Sequence, residues 1–218
     1  MAHGYWKGDK VVEIAPLRRR ALFPALGRVE SYWEGLRDGR LMPMRSEVDP
    51  RGIADMLEYA FILERIAPGL ARLRLAGMHL NDLMAMEVRG MPLTAMLLPD
   101  ARREMQRVLE AVLDTPAATR LTLAGDTGFG RAPLEAQMIL LPLRDDHGRA
   151  SRILGALQSR GEIGRGPRRF AIRDVETKPL TGAVRATHPA ADTPRPMPQA
   201  AKQPAPGHLR LVHDATDA

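Results

Sequence analysis

The order of periodic segments along this 218-residue chain predicts an α+β domain built on an antiparallel sheet. Three observations carry that prediction. Two apolar helical stripes stand near the start, a short alternating hairpin follows them, and one long amphipathic segment precedes three more alternating segments joined by polar turns.

The elements are justified in turn. Val29, Tyr32, Trp33 and Leu36 recur at helical spacing between Arg28 and Arg37, and Gly39 ends that helix. Asp49-Pro50 reads as a helix start, with Asp as N-cap and Pro in the first turn, where its missing N–H costs nothing. Ile53, Met56, Leu57 and Ala60 continue that stripe. Phe61 to Ile66 is rich in β-formers, and Pro68-Gly69 turns the chain. Ala71-Arg72-Leu73-Arg74-Leu75 then alternates, with the leucines expected in the core and the arginines in solvent. Gly77 to Gly90 suits short helical turns. Asp100 to Asp114 is the clearest helix, with Ala101, Met105, Val108, Leu109 and Val112 on one face, and Pro116 closes it. Three strands are expected at Arg120–Ala124, Leu134–Leu143 and Ser151–Gln158. The loop Gly125–Gly130 joins the first two, and Asp145-Asp146-His147-Gly148 is a hairpin turn between the last two.

Composition bounds the chemistry. Hydrophobic residues at 44% and charged residues at 27% are ordinary for a globular chain. The absence of Cys excludes disulfides, thiolate metal sites and Cys nucleophiles. Aromatics are only 4%, while Met reaches 12 residues, so the core must be filled with aliphatic side chains and Met. No apolar run approaches the roughly 20 residues of a membrane span, and the first ten residues hold no apolar signal region, so a cytoplasmic protein without a membrane span is expected.

Charge and proline divide the chain into a partly flexible lead (1–27), a domain (28–158) and a basic, Pro-rich, largely disordered tail (159–218). Of the formal net charge of +6, the tail carries +4. Near its end lies an apolar patch, Leu209-Arg210-Leu211-Val212.

Several phrases, taken as an ordered set, resemble the PAS domain superfamily, in particular its short stand-alone bacterial variant. They are Tyr32-Trp33-Glu34-Gly35-Leu36-Arg37, Leu41-Met42-Pro43-Met44-Arg45-Ser46-Glu47-Val48-Asp49-Pro50, Leu73-Arg74-Leu75-Ala76-Gly77, Leu140-Leu141-Pro142-Leu143 and Ile153-Leu154-Gly155-Ala156-Leu157. The resemblance covers roughly Glu30 to Gln158. It implies a five-stranded antiparallel sheet with helices over one face, preceded by N-terminal amphipathic helices. It also implies a non-enzymatic sensory or regulatory role in bacterial signal transduction, through ligand- or partner-dependent contacts with a second copy, a sensor kinase or another signalling protein. It transfers no cofactor, and the cofactor stays unknown.

A ligand pocket is expected between the Asp100–Asp114 helix, the Gly77–Gly90 segment and the sheet, lined by Leu75, His79, Met84, Met105, Leu123, Met138 and Leu140. Met is flexible and fills irregular space. A core plugged by Met84, Met105 and Met138 would instead favour a protein-interaction adaptor without a small-molecule ligand. Tyr32, Trp33 and Leu36 are candidates for a dimer or partner contact, or for packing on the chain's own sheet. No catalytic set and no metal-ligand set can be assembled, because the histidines are scattered. Gly125–Gly130 lacks the Lys-Ser/Thr of a phosphate loop and leads into a strand. The charge run Arg165, Arg168, Arg169 and Arg173 reads as a solvated or partner-facing face rather than a specific nucleic-acid site, since charge alone binds nucleic acid without specificity.

Overall fold

A computed structural model describes residues 21–182. The Leu209–Val212 patch, the Pro-rich stretch and His3, His188, His208 and His213 lie outside the described residues.

Helix α1 (Pro24–Arg37) comes first. Short 3-10 segments follow at Arg45–Glu47 and Pro50–Met56. The Asp49 side chain caps the second of these, accepting from the Arg51 backbone N–H at 2.9 Å, as the Asp-Pro pair predicts. The hairpin is β1 (Ala60–Ala67) and β2 (Leu70–Ala76). Helix α2 (Met78–Met84), a 3-10 turn at Leu93–Met96 and helix α3 (Pro99–Asp114) lie between the hairpin and β3 (Ala117–Gly125). Then come β4 (Glu135–Arg144), β5 (Ala150–Arg160) and β6 (Phe170–Pro179). All pairings are antiparallel, in the order β2-β1-β5-β4-β3-β6.

The sheet therefore has six strands where five are expected, and β6 falls in the segment read as tail. Phe170, Ile172 and Val175 face the same core as β3, but a bulge opposite Thr122/Leu123 breaks their two-residue period. Most other β6 side chains are exposed on this edge strand, so its composition resembles a solvated charge run.

Both faces of the sheet are covered, where helices over one face are expected. On the first face α2, α3 and the Leu93–Met96 turn pack against Phe61, Leu63, Leu73, Leu121, Met138 and Leu157. Gly155 has no side chain because the Phe61 ring lies over it; a Cβ there would sit 2.2 Å from the ring. On the second face α1 and the 3-10 segments pack against Ala60, Ile62, Ile139, Leu141 and Leu154. Trp33 anchors α1: it is 1% exposed, and its Nε1–H donates to the Pro142 carbonyl at 3.0 Å.

A buried guanidinium ties the far end of the sheet together. Arg168 is 1% exposed and donates to Asp126 Oδ1 at 3.0 Å and to the carbonyls of Ile163, Asp126 and Ala132. Arg131 holds the other Asp126 oxygen at 2.5 Å. Such a buried charge is tolerable only because its donors meet acceptors on every side.

Candidate functional site: a filled core face and an apolar groove

The residues expected to line a ligand pocket separate into three groups. Met84, Met105, Leu123, Met138 and Leu140 do come together, in one buried cluster between α2, α3 and the sheet. Their side chains occupy the space where a ligand would sit on that face, and none of them lines the groove described below.

His79 lies beside that cluster and is only partly buried. Its Nε2 accepts from the Ser159 backbone N–H at 3.1 Å and lies 3.1 Å from Ser159 Oγ. The ring also meets Tyr59 edge-on, with centroids 5.0 Å apart. Accepting at Nε2 places the ring proton on Nδ1, the neutral tautomer. Burial lowers the His79 pKa, outweighing the upward pull of Asp82 and Glu58. The imidazole thus pins α2 to β5. The Ser159–His79 pair has nucleophile–base spacing, yet the Ser159 N–H competes for the same lone pair. Among the described residues no carboxylate hydrogen-bonds Nδ1 to orient the ring, as a catalytic triad requires. No group of three or more metal-ligating side chains is found among the described residues.

Leu75 goes to the other side of the sheet. Ile62 pairs with Leu75, but its neighbour Leu63 pairs with Leu73, so Arg74 is an extra residue in β2. The bulge turns Leu75 onto the face shared with Ile62, away from Leu73. There Leu75 is 50% exposed.

That side holds an apolar groove of about 410 Å³. Its floor is Ile62, Leu75 and Leu154; one wall is Val48, Pro50, Ile53 and Leu57, and the other is Ala76-Gly77-Met78. The Gly77 backbone crosses so close to the Leu57 and Glu58 carbonyls that a Cβ would lie 2.2 Å from each. Leu57 and Met78 stand on the rim at 41% and 64% exposure. Arg45 also borders the groove. Glu58 borders it too, and burial and then Glu58 push the pKa of the neighbouring Tyr59 hydroxyl up.

The floor strands continue into a charged cluster on the same face. Glu64, two residues beyond Ile62, binds Arg72 and Arg152 at 2.8 Å each and also Arg74. Burial pushes the Glu64 pKa up, but Arg74, Arg72 and Arg152 outweigh it and hold the carboxyl ionised below its usual range. One carboxylate among three guanidinium groups leaves a surplus of positive charge.

Sequence reasoning missed this groove, because the bulge that sends Leu75 there leaves no trace in the alternation of β2. Of the candidate contact residues, Trp33 is spent on its own sheet. The Tyr32 hydroxyl accepts the Asp49 N–H at 2.8 Å and donates to the Asp49 carbonyl at 3.0 Å, and Leu36 is partly buried against the second core.

An antiparallel sheet with helices inserted after its first hairpin, and the hairpin placed beside β5, defines a PAS-like α+β architecture. A PAS domain family model matches residues 21–158, and the chain belongs to that family. No curated protein matches it. Similar solved structures include the light-state LOV domain of the blue-light photoreceptor Aureochrome1, at 13% identity and TM-score 0.38, covering 51% of this chain and 88% of that one. Another is an RNA-binding light-oxygen-voltage receptor, at 14% identity and TM-score 0.35, covering 72% of this chain and 36% of that one. Among the described residues no helix is long and apolar enough to cross a membrane.

Proposed function

We propose that this chain is a non-enzymatic PAS-type regulatory module of bacterial signal transduction, acting in the cytoplasm through contact with a signalling protein such as a sensor kinase, or with a second copy of itself. The observation that carries this reading is the contrast between a core face filled by Met84, Met105 and Met138 and an open apolar groove on the opposite face. A filled core leaves contact surfaces, rather than an enclosed ligand, as the means of regulation. That supports the adaptor form of the function over a ligand-gated one, in which a small molecule would bias one arrangement of the helices.

Native mass spectrometry of the purified full chain tests the reading. The expected spectrum carries the polypeptide mass alone, and its charge series reports monomer or dimer. A stoichiometric co-purifying small molecule would overturn the contact-only mechanism and restore a ligand-sensing one.

A further inference from the structure

The geometry points to the groove between the Val48–Leu57 wall and the Ala76–Met78 wall as the docking site for an acidic amphipathic helix of a partner protein. This rests on the reading of the chain as a module that works by contact.

The argument has three parts. First, the groove offers side chains and no backbone. β1, the middle strand of the floor, pairs with β2 on one side and β5 on the other and offers no free ladder groups, and the outer side of the edge strand β2 is bonded at Leu73 to Gly90 and Met91. An extended strand laid on it would leave its own N–H and C=O groups without partners, whereas a helix satisfies its own. Second, the apolar side chains around the opening are the exposed ones. Leu57 and Met78 stand at the rim and Leu75 is half-exposed on the floor, and Met adapts its shape to a partner surface. Third, the charge beside it is predominantly positive, although Glu58 also borders the groove. Arg72, Arg74 and Arg152 share the single Glu64 carboxylate, and Arg45 borders the groove itself. Each guanidinium carries five donors, so the three that hold Glu64 keep N–H groups for further carboxylates. A helix with Leu-type residues at i, i+3/i+4 and i+7 and carboxylates toward one end fits both features.

The test is selection from an unbiased random-peptide library on the full chain, followed by fluorescence anisotropy of the enriched peptides. Enrichment of net-acidic peptides with helical apolar spacing is expected. Their affinity should fall at least about tenfold with Leu75→Glu or Met78→Glu and severalfold with Arg152→Glu, and it should weaken with added salt. Circular dichroism checks that each variant folds; Leu75 and Met78 are exposed, so both should. Failure to enrich, enrichment of neutral or basic peptides, or unchanged affinity in the groove variants would overturn the assignment. So would complete displacement of the peptides by dodecanoate at concentrations below its micelle range, which would make the groove a lipid site. A clean native mass spectrum beside a failed selection sinks this assignment alone; a co-purifying ligand sinks the broader reading.

Discussion

The two faces of the sheet are built from the same strands and solve burial differently. On the α2/α3 side, Met84, Met105 and Met138 mesh with Leu and Phe side chains until every one of them is buried. On the α1 side, α1 covers β4 and β5, where Trp33, Val29 and Leu26 are buried against Ile139, Leu141 and Leu154. Toward β1 and β2 that cover is supplied by short 3-10 segments, and Ile62, Leu75 and Leu154 floor an open groove. The difference teaches that packing and recognition are divided between faces. A flexible residue set closes one face, and a one-residue bulge exposes a leucine on the other.

The largest effect should come from breaking the filled face. Met138→Ala removes a fully buried side chain opposite Leu121 and Leu157. Truncation of a buried Met costs about 2–5 kcal/mol, since the lost transfer energy adds to a cavity that relaxes only in part. Urea denaturation should show a lower midpoint at unchanged slope. A loss below about 1 kcal/mol would mean that the face is loosely packed and that room for a ligand exists there.

Much of this fold was legible because its signals are local. The Asp49 cap, the Asp145 turn and the stripe of α3 each depend on residues a few positions apart, and each stands as expected. Asp145 accepts from the backbone N–H groups of His147 and Arg149 at 2.9 Å, which is what an Asp opening a turn is for. What was illegible depends on distant partners. Arg168 looks like part of a solvated run until the carbonyls of Ala132 and Asp126 arrive from another loop. β6 and the side taken by Leu75 both hinge on bulges, which shift a two-residue period by one without changing composition. The meeting of Met84, Met105 and Met138 between α2, α3 and the sheet was therefore legible, and the groove was not.

A second, smaller effect sharpens the comparison at the seam where α2 meets β5. Burial holds the folded-state pKa of His79 below its ordinary value of 6.5, so only well above 6.5 is the ring uncharged in both states. As pH falls through 6.5, the unfolded chain takes up the proton before the folded one. Stability should then be lost progressively between 6.5 and the lower folded value, and no further below it. Urea midpoints of the parent and of His79→Gln, measured across that window, isolate the contribution from that of the carboxylates. The parent should lose more stability on acidification than the variant. Parallel pH profiles would show that His79 is not the group that couples α2 to β5.

The smallest effect should come from the open face. Leu75→Ser removes an apolar side chain of which half still meets water, from a strand whose ladder bonds the change leaves intact. Full burial of a leucine is worth about 1.5–3 kcal/mol, so a half-exposed one should cost about 1 kcal/mol or less. The same urea titration that registers Met138→Ala should barely move. The asymmetry is the point of the pair: a residue kept for packing is expensive to remove from the isolated protein, while a residue kept for recognition costs little until its partner is present. If Leu75→Ser instead destabilised the chain by more than about 2 kcal/mol, the groove would be part of the folding core, and the division between a packing face and a recognition face would fail.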